Sequence, residues 1–178
     1  MAKTELAESE PPLFLNIFNQ YHKKIFNFIY RMTQDYHLAQ DLTQEVFLRI
    51  YQKEPDLNEH QNFQGWIFRV ARNLCLNALR NERSKISHEN ELRNKTGGVW
   101  VEANNPDYDL TARETRQVVK KGIAELNNNQ REVLILKVYH NFSYQEIAEI
   151  THSSVSAVKS LIFRAKENLR KKLDVNRR

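Results

Sequence analysis

Glycine is scarce in this chain. Gly65, Gly97, Gly98 and Gly122 are the only four among 178 residues. A phosphate-cradling loop or a dinucleotide fingerprint, both built from clustered glycines, has nowhere to sit. Cys75 is the single cysteine, so no disulfide can close within the chain, a cysteine-based zinc site lacks its ligands, and a small core residue is expected there. The histidines at 22, 37, 60, 88, 140 and 152 are scattered, without metal-ligand spacing or a glutamate signature beside them. No serine sits in a nucleophile elbow. The reading is of a chain with no catalytic residue, no metal and no cofactor, and hence not an enzyme. No apolar run approaches the ~20 residues that cross a bilayer. The acidic segment Met1 to Pro12 lacks the basic-then-apolar form of a signal peptide. A cytoplasmic protein without membrane insertion is expected.

What is present is charge, unevenly placed. Residues 1–62 hold 6 basic and 9 acidic side chains, and residues 96–150 hold 6 and 8. Between and after them, residues 63–95 hold 7 and 3, and residues 151–178 hold 8 and 2. Positive charge is confined to two segments, which suits two contacts with one polyanion and leaves acidic surface for a protein partner.

Apolar residues recur at helical spacing and nowhere alternate as in a strand. Phe14, Ile17, Phe18, Tyr21, Ile25, Phe28, Ile29 and Met32 mark one amphipathic helix. Thr33 to His37 reads as a break, followed by a helix over about Leu38–Tyr51, with Leu38, Leu42, Val46 and Ile50 inward. A loop around Pro55 precedes a third helix over about Phe63–Arg83. Ser84 to Pro106 lacks periodicity, and helical pattern returns from Leu110, broken at Asn127–Asn129. The fold class is all-α, with two small helical domains on a flexible linker: a flexible N-terminus at 1–12, a three-helix bundle at 13–83, a linker at 84–109 and a second domain at 110–173.

The second domain ends in a helix-turn-helix pattern. Ser143 and Glu146 have the spacing of a capping box. Thr151, His152 and Ser153 form the turn, with His152 at the position that tends to want positive φ. Ser153 or Ser154 can cap the next helix. On that helix Val155, Val158, Ile162, Ala165 and Leu169 face inward, while Ser156, Lys159, Ser160, Phe163 and Arg164 face outward. Hydroxyls, cations and an aromatic ring suit base edges, thymine methyls and phosphates; a solvated basic face is the bland alternative.

Two further stripes carry candidate chemistry. Arg69, Arg72, Asn73, Leu76, Arg80 and Arg83 run along the third helix at three- and four-residue steps, beside Phe63, Trp66 and Phe68. Arginine grips phosphate, asparagine can bond bases, and aromatic rings can stack on unpaired bases. From spacing alone a solvated arginine face and core-packed aromatics fit as well. Asp41, Gln44, Glu45 and Leu48 form a mostly polar stripe on the second helix, for which a solvated face ranks first by spacing.

Taken in order, three motifs resemble the extracytoplasmic-function sigma factors of bacteria: Leu38-Ala39-Gln40-Asp41-Leu42-Thr43-Gln44-Glu45-Val46-Phe47, then Phe63-Gln64-Gly65-Trp66-Ile67-Phe68-Arg69-Val70-Ala71-Arg72-Asn73-Leu74, then Leu126 through Arg170. The resemblance implies a dissociable subunit that directs RNA polymerase core enzyme to promoter DNA and helps to open it. It makes Asp41, Leu42, Gln44, Glu45 and Leu48 a polymerase-docking surface. It makes Asn58, Phe63, Trp66, Arg69, Arg72, Asn73, Leu76 and Arg80 contacts for a separated promoter strand, with the Pro55–Asn62 loop a candidate pocket for a flipped base. Ser153, Ser156, Lys159, Ser160, Phe163 and Arg164 become the reading head on the duplex. Members of the family are commonly held inactive by an anti-sigma factor, a further candidate partner. The alternative is a stand-alone helix-turn-helix regulator, which has no need of the Asp41–Phe47 helix. A helical nuclease lacks any metal-ligand set.

Overall fold

The structure, a computed structural model, describes residues 13–52, 62–86 and 110–175. The expected N-terminal segment, most of the linker, and the Pro55–Asn62 loop apart from Asn62 lie outside them. Among the described residues there are seven α-helices and no strand: α1 Leu13–Thr33, α2 Tyr36–Gln52, α3 Phe63–Ile86, α4 Leu110–Ala124, α5 Asn128–Tyr139, α6 Tyr144–Thr151 and α7 Val155–Val175.

The break after α1 is shorter than its polar sequence predicts. Gln34 takes the left-handed conformation (φ 59°), and its amide bonds the Tyr30 carbonyl at 2.8 Å, which ends the helix. Asp35 then accepts the Leu38 amide at 3.0 Å and starts α2 two residues before Leu38. The inward face of α2 is also rotated from expectation. Ala39, Thr43, Val46, Phe47 and Ile50 are buried, whereas Leu38 and Leu42 are only half-buried. Thr43 belongs inside because its hydroxyl is spent on the Ala39 carbonyl at 2.6 Å. Asn62 caps α3 by accepting the Gly65 amide at 2.9 Å. A Cβ at Gly65 would meet the Asn62 side chain at 2.8 Å, so glycine lets the cap close.

α1, α2 and α3 pack mutually into a bundle rich in aromatic edge contacts, such as Phe18–Phe47 at 4.9 Å and Phe28–Phe68 at 5.4 Å. α7 packs against α4, α5 and α6, with Ile123, Leu126, Leu134 and Ala165 as a small core. The two units are in contact: α5 lies on α1 and α6 on α3. A single hydrophobic core runs from Phe28 and Phe68 into Phe142, Ile147 and Val158.

Candidate nucleic-acid interface

The helix-turn-helix follows its sequence closely. Ser143 Oγ accepts the Glu146 amide at 3.2 Å and the Glu146 carboxylate accepts the Ser143 amide at 2.7 Å, closing the capping box. The Ser143 hydroxyl and then the Ser143 backbone amide hold the Glu146 carboxyl below its ordinary value. His152 adopts the left-handed conformation, φ 52° and ψ 45°, and the Ser153 amide bonds the Ala148 carbonyl at 2.9 Å. Ser154, the second of the two serines considered, caps α7 by accepting the Ala157 amide at 3.1 Å. Val158, Ile162 and Ala165 are buried, with Val155 and Leu169 packed at the margin. Ser153, Ser156, Lys159, Ser160, Phe163 and Arg164 are all exposed. Phe163 is 67% exposed, a large ring on a basic face with no core to fill. Lys159 lies over the Tyr144 ring of α6 at 5.8 Å.

The stripe on α3 is divided by packing. Asn73 and Arg80 are exposed. Phe63, Trp66 and Leu76 are half-buried against the bundle core, and Phe63 meets Tyr21 at 5.4 Å and Trp66 at 5.7 Å. Arg69 is half-buried, and its Nε is buried without a hydrogen bond. Arg72 donates to the Glu132 carboxylate of α5. Phe68, considered as a base-stacking ring, is fully buried. It fills the junction between the units, at 5.0 Å from Phe142 and 4.7 Å from His140, and offers no face to a base. Asn58 lies outside the described residues.

On α2, Asp41, Gln44 and Leu48 are exposed, while Leu42 and Glu45 are half-buried. Glu45 pairs with Arg49 one turn on at 2.8 Å. Leu48 is 52% exposed, an apolar residue at the edge of a polar stripe. Among the described residues no group of three His, Cys, Asp or Glu side chains is placed to hold a metal, and no helix is long and apolar enough to cross a membrane.

Sequence reasoning did not single out α5 as part of this surface. Gln130 to Leu136 is buried all round, and within that run Arg131 donates to the carbonyls of Ile123 at 3.1 Å, Met32 at 2.7 Å and Leu126 at 2.9 Å. One guanidinium thus gathers carbonyls near the ends of α1 and α4. Burial pushes the Glu132 carboxyl above its ordinary range, and Arg72 pulls it back. The signal was the run Val133 to Leu136, apolar on every side, directly after the Arg131-Glu132 pair, which marks a buried helix. His140, in the following turn, lies against Phe28 at 5.9 Å as well as Phe68. Burial, then the charges of Arg31 and Lys24, lower its pKa to about 4.

Residues 17–85 match sigma-70 region 2, and residues 116–169 match sigma-70 region 4. The chain is 30% identical over 155 residues to the ECF RNA polymerase sigma factor SigM of Bacillus subtilis, covering 86% of this chain and 91% of that one. This chain belongs to the extracytoplasmic-function sigma factors. SigW of the same organism is 28% identical over 174 residues, covering 95% of the sigma factor and 93% of SigW. In fold the sigma factor is similar to RpoE of Bartonella quintana, solved in complex with the anti-sigma factor NepR, with a TM-score of 0.74 at 23% identity, covering 91% of this chain and 97% of that one. Regions 2 and 4 in one chain are those of a promoter-directing subunit of RNA polymerase and not of a stand-alone regulator. Sigma factors are initiation subunits rather than enzymes.

Proposed function

We propose that this sigma factor works through three separate surfaces in the cytoplasm, with no catalysis of its own. Residues 13–83 form the unit that docks on core polymerase through Asp41, Leu42, Gln44, Glu45 and Leu48. The same unit receives the separated promoter strand through Asn58, Phe63, Trp66, Arg69, Arg72, Asn73, Leu76 and Arg80. Residues 110–173 read the upstream duplex through Ser153, Ser156, Lys159, Ser160, Phe163 and Arg164, and residues 84–109 join the two. The observation that carries the reading is the outer face of α7, where hydroxyls, two cations and an exposed ring stand clear of the core. Two weak DNA contacts held on one enzyme raise each other's effective concentration. An anti-sigma factor is a further proposed partner, as the complex of the similar RpoE suggests.

The test is reconstitution with core polymerase. Asp41→Ala with Glu45→Ala is expected to weaken core binding at unchanged helicity. Asn73→Ala is expected to spare the closed complex but lower permanganate reactivity of unpaired thymines. Unaltered core affinity would reject the docking surface, and equal thymine reactivity would reject the strand contact.

A further inference from the structure

Arg72 belongs to the strand-binding surface proposed above, yet its guanidinium is already engaged. Its Nε donates to Glu132 Oε1 and its Nη1 to Asn73 Oδ1 at 3.3 Å. Only 15% of the Arg72 side chain is exposed, and 2% of that of Glu132. Glu132 comes from α5, sixty residues along the chain. The contacts around the pair bind the same two units together. Phe68 inserts between His140 and Phe142, Arg131 reaches the Met32 carbonyl, and Arg31 lies over the Tyr139 ring at 4.0 Å. A carboxylate and a phosphate present the same anionic oxygens to a guanidinium. With Glu132 in place and α5 over it, little of Arg72 is left open to a strand.

We propose that Glu132 is an internal latch: in the free sigma factor its carboxylate occupies the phosphate position on Arg72 and keeps α5 against the strand-binding face, and assembly with polymerase and promoter releases it. The inference rests on the strand contact assigned to Arg72 under the proposed function. The energetics suit a latch. A buried ion pair gains little net stability because desolvation offsets its attraction, so it can open at modest cost, whereas removal of one partner strands a buried charge. The latch also explains why a cation of α3 and an anion of α5 face each other across the seam between the units.

Spin labels on Asn19→Cys of α1 and Glu149→Cys of α6, both exposed positions, in a Cys75→Ala background that melts like the parent, report the separation of the units. The free parent should give one narrow distance. Glu132→Ala should give a broad and longer distribution, and the exchange Arg72→Glu with Glu132→Arg should restore the narrow one. Where Glu132→Ala loses helicity, Glu132→Gln keeps the shape without the charge and carries the same expectation. Core polymerase with promoter should lengthen the parent distance. Glu132→Ala, freed from closure, should bind core roughly threefold or more tightly and open promoter as the parent does once bound. The exchange variant should stay closed when free and fail to open promoter. A narrow distance retained by Glu132→Ala, or by the parent bound to core and promoter, would overturn the latch. Absence of core binding by any form would strike the functional reading instead, since the comparison of free chains decides the latch by itself.

Discussion

The outer faces of α3 and α7 read alike in the sequence and differ in the fold. Each carries basic residues with small polar neighbours at three- and four-residue steps. On α7 every residue of the face is exposed, and the nearest aromatic neighbour, Tyr144, only flanks Lys159. On α3 the same kind of face is shared between solvent, at Asn73 and Arg80, and a partner in the other unit, at Arg72. Periodicity tells which residues share a side of a helix. It does not tell whether a distant segment stands on that side. A free basic face is ready for duplex DNA, whereas a covered one must first be uncovered.

The largest effect on this contrast should come from Arg131, which holds the covering helix down. Arg131→Met keeps apolar bulk but removes the guanidinium donor from the carbonyls of Met32, Ala124 and Leu126, while the Ile123 carbonyl keeps the Leu126 amide. Orphaned buried acceptors cost about 1–3 kcal/mol each before relaxation or water rescue. The expected loss of stability is about 3 kcal/mol or more, read by urea denaturation. Loss of less than about 1 kcal/mol, the worth of one ordinary hydrogen bond, would mean that Arg131 does not tie the units together.

The two faces were unequally legible, and for a physical reason. The helix-turn-helix depends on local chemistry, and a capping box, a left-handed His152 and a serine cap each act within four residues. Those features, and the outward set on α7, could be read directly. So could the α1 stripe and Cys75 as a core residue, wholly buried with its thiol pushed well above the ordinary value by burial and then by Glu132. What escaped depends on contacts far apart in the chain. Phe68 appeared as available as Trp66, because only Phe142 and His140 decide its burial. Asp35 as a cap was missed because Thr33–His37 reads as uniformly polar. The domain boundary was sought in composition, which carries no trace of how the two units face each other.

Acid should act on the covered face and leave the free one alone. His140 Nε2 is buried without a hydrogen bond between Phe28 and Phe68, and its pKa falls from 6.5 to about 4. Arg31 and Lys24, both on α1, are the charges that oppose its protonation. The packed state favours neutral His140, so its contribution is fully present above about pH 6.5 and drains away as the pH falls toward 4. The full loss over that window is about 3 kcal/mol, and roughly 2 kcal/mol at pH 5. Stability of His140→Phe should change less between pH 7 and 5 than that of the parent. Equal pH slopes in the two proteins would remove His140 from the account.

The free face can be sharpened residue by residue. Lys159 and Arg164 are five apart and so lie roughly 140° apart around the helix, at the two edges of the exposed face. If Arg164 forks onto a guanine, Arg164→Ala in the holoenzyme should cost about 1–3 kcal/mol and relax preference at one base pair. If it grips phosphate, binding should weaken evenly across sequences, with a shallower salt dependence. Binding to a panel of single-base promoter variants at two salt concentrations separates these outcomes. No effect of either Lys159→Ala or Arg164→Ala on any promoter would show that α7 is not the reading head, and the contrast with α3 would lose its functional meaning.

The smallest expected effect tests whether the free face owes its readiness to local structure alone. Ser143→Ala removes the hydroxyl that accepts the Glu146 amide, while the backbone amide at this position survives the change and can still donate to the Glu146 carboxylate, as it does now at 2.7 Å. Half of the capping box is lost, at about 1 kcal/mol. Because the Ser143 bonds hold the Glu146 carboxyl below its ordinary value, the box is fully formed above the ordinary carboxylate range and weakens as the pH falls through the lowered value. At neutral pH the loss should therefore be complete, and it should shrink in acid. Ser143 lies before α6 and takes no part in the outer face of α7, so stability should fall while the order of preference across the promoter panel stays as in the parent. A changed order would mean that α6 sets the angle at which α7 meets the groove, and that even the free face is positioned by its neighbour. Thermal melts at two pH values, paired with the promoter panel, distinguish a local cap from a positioning contact.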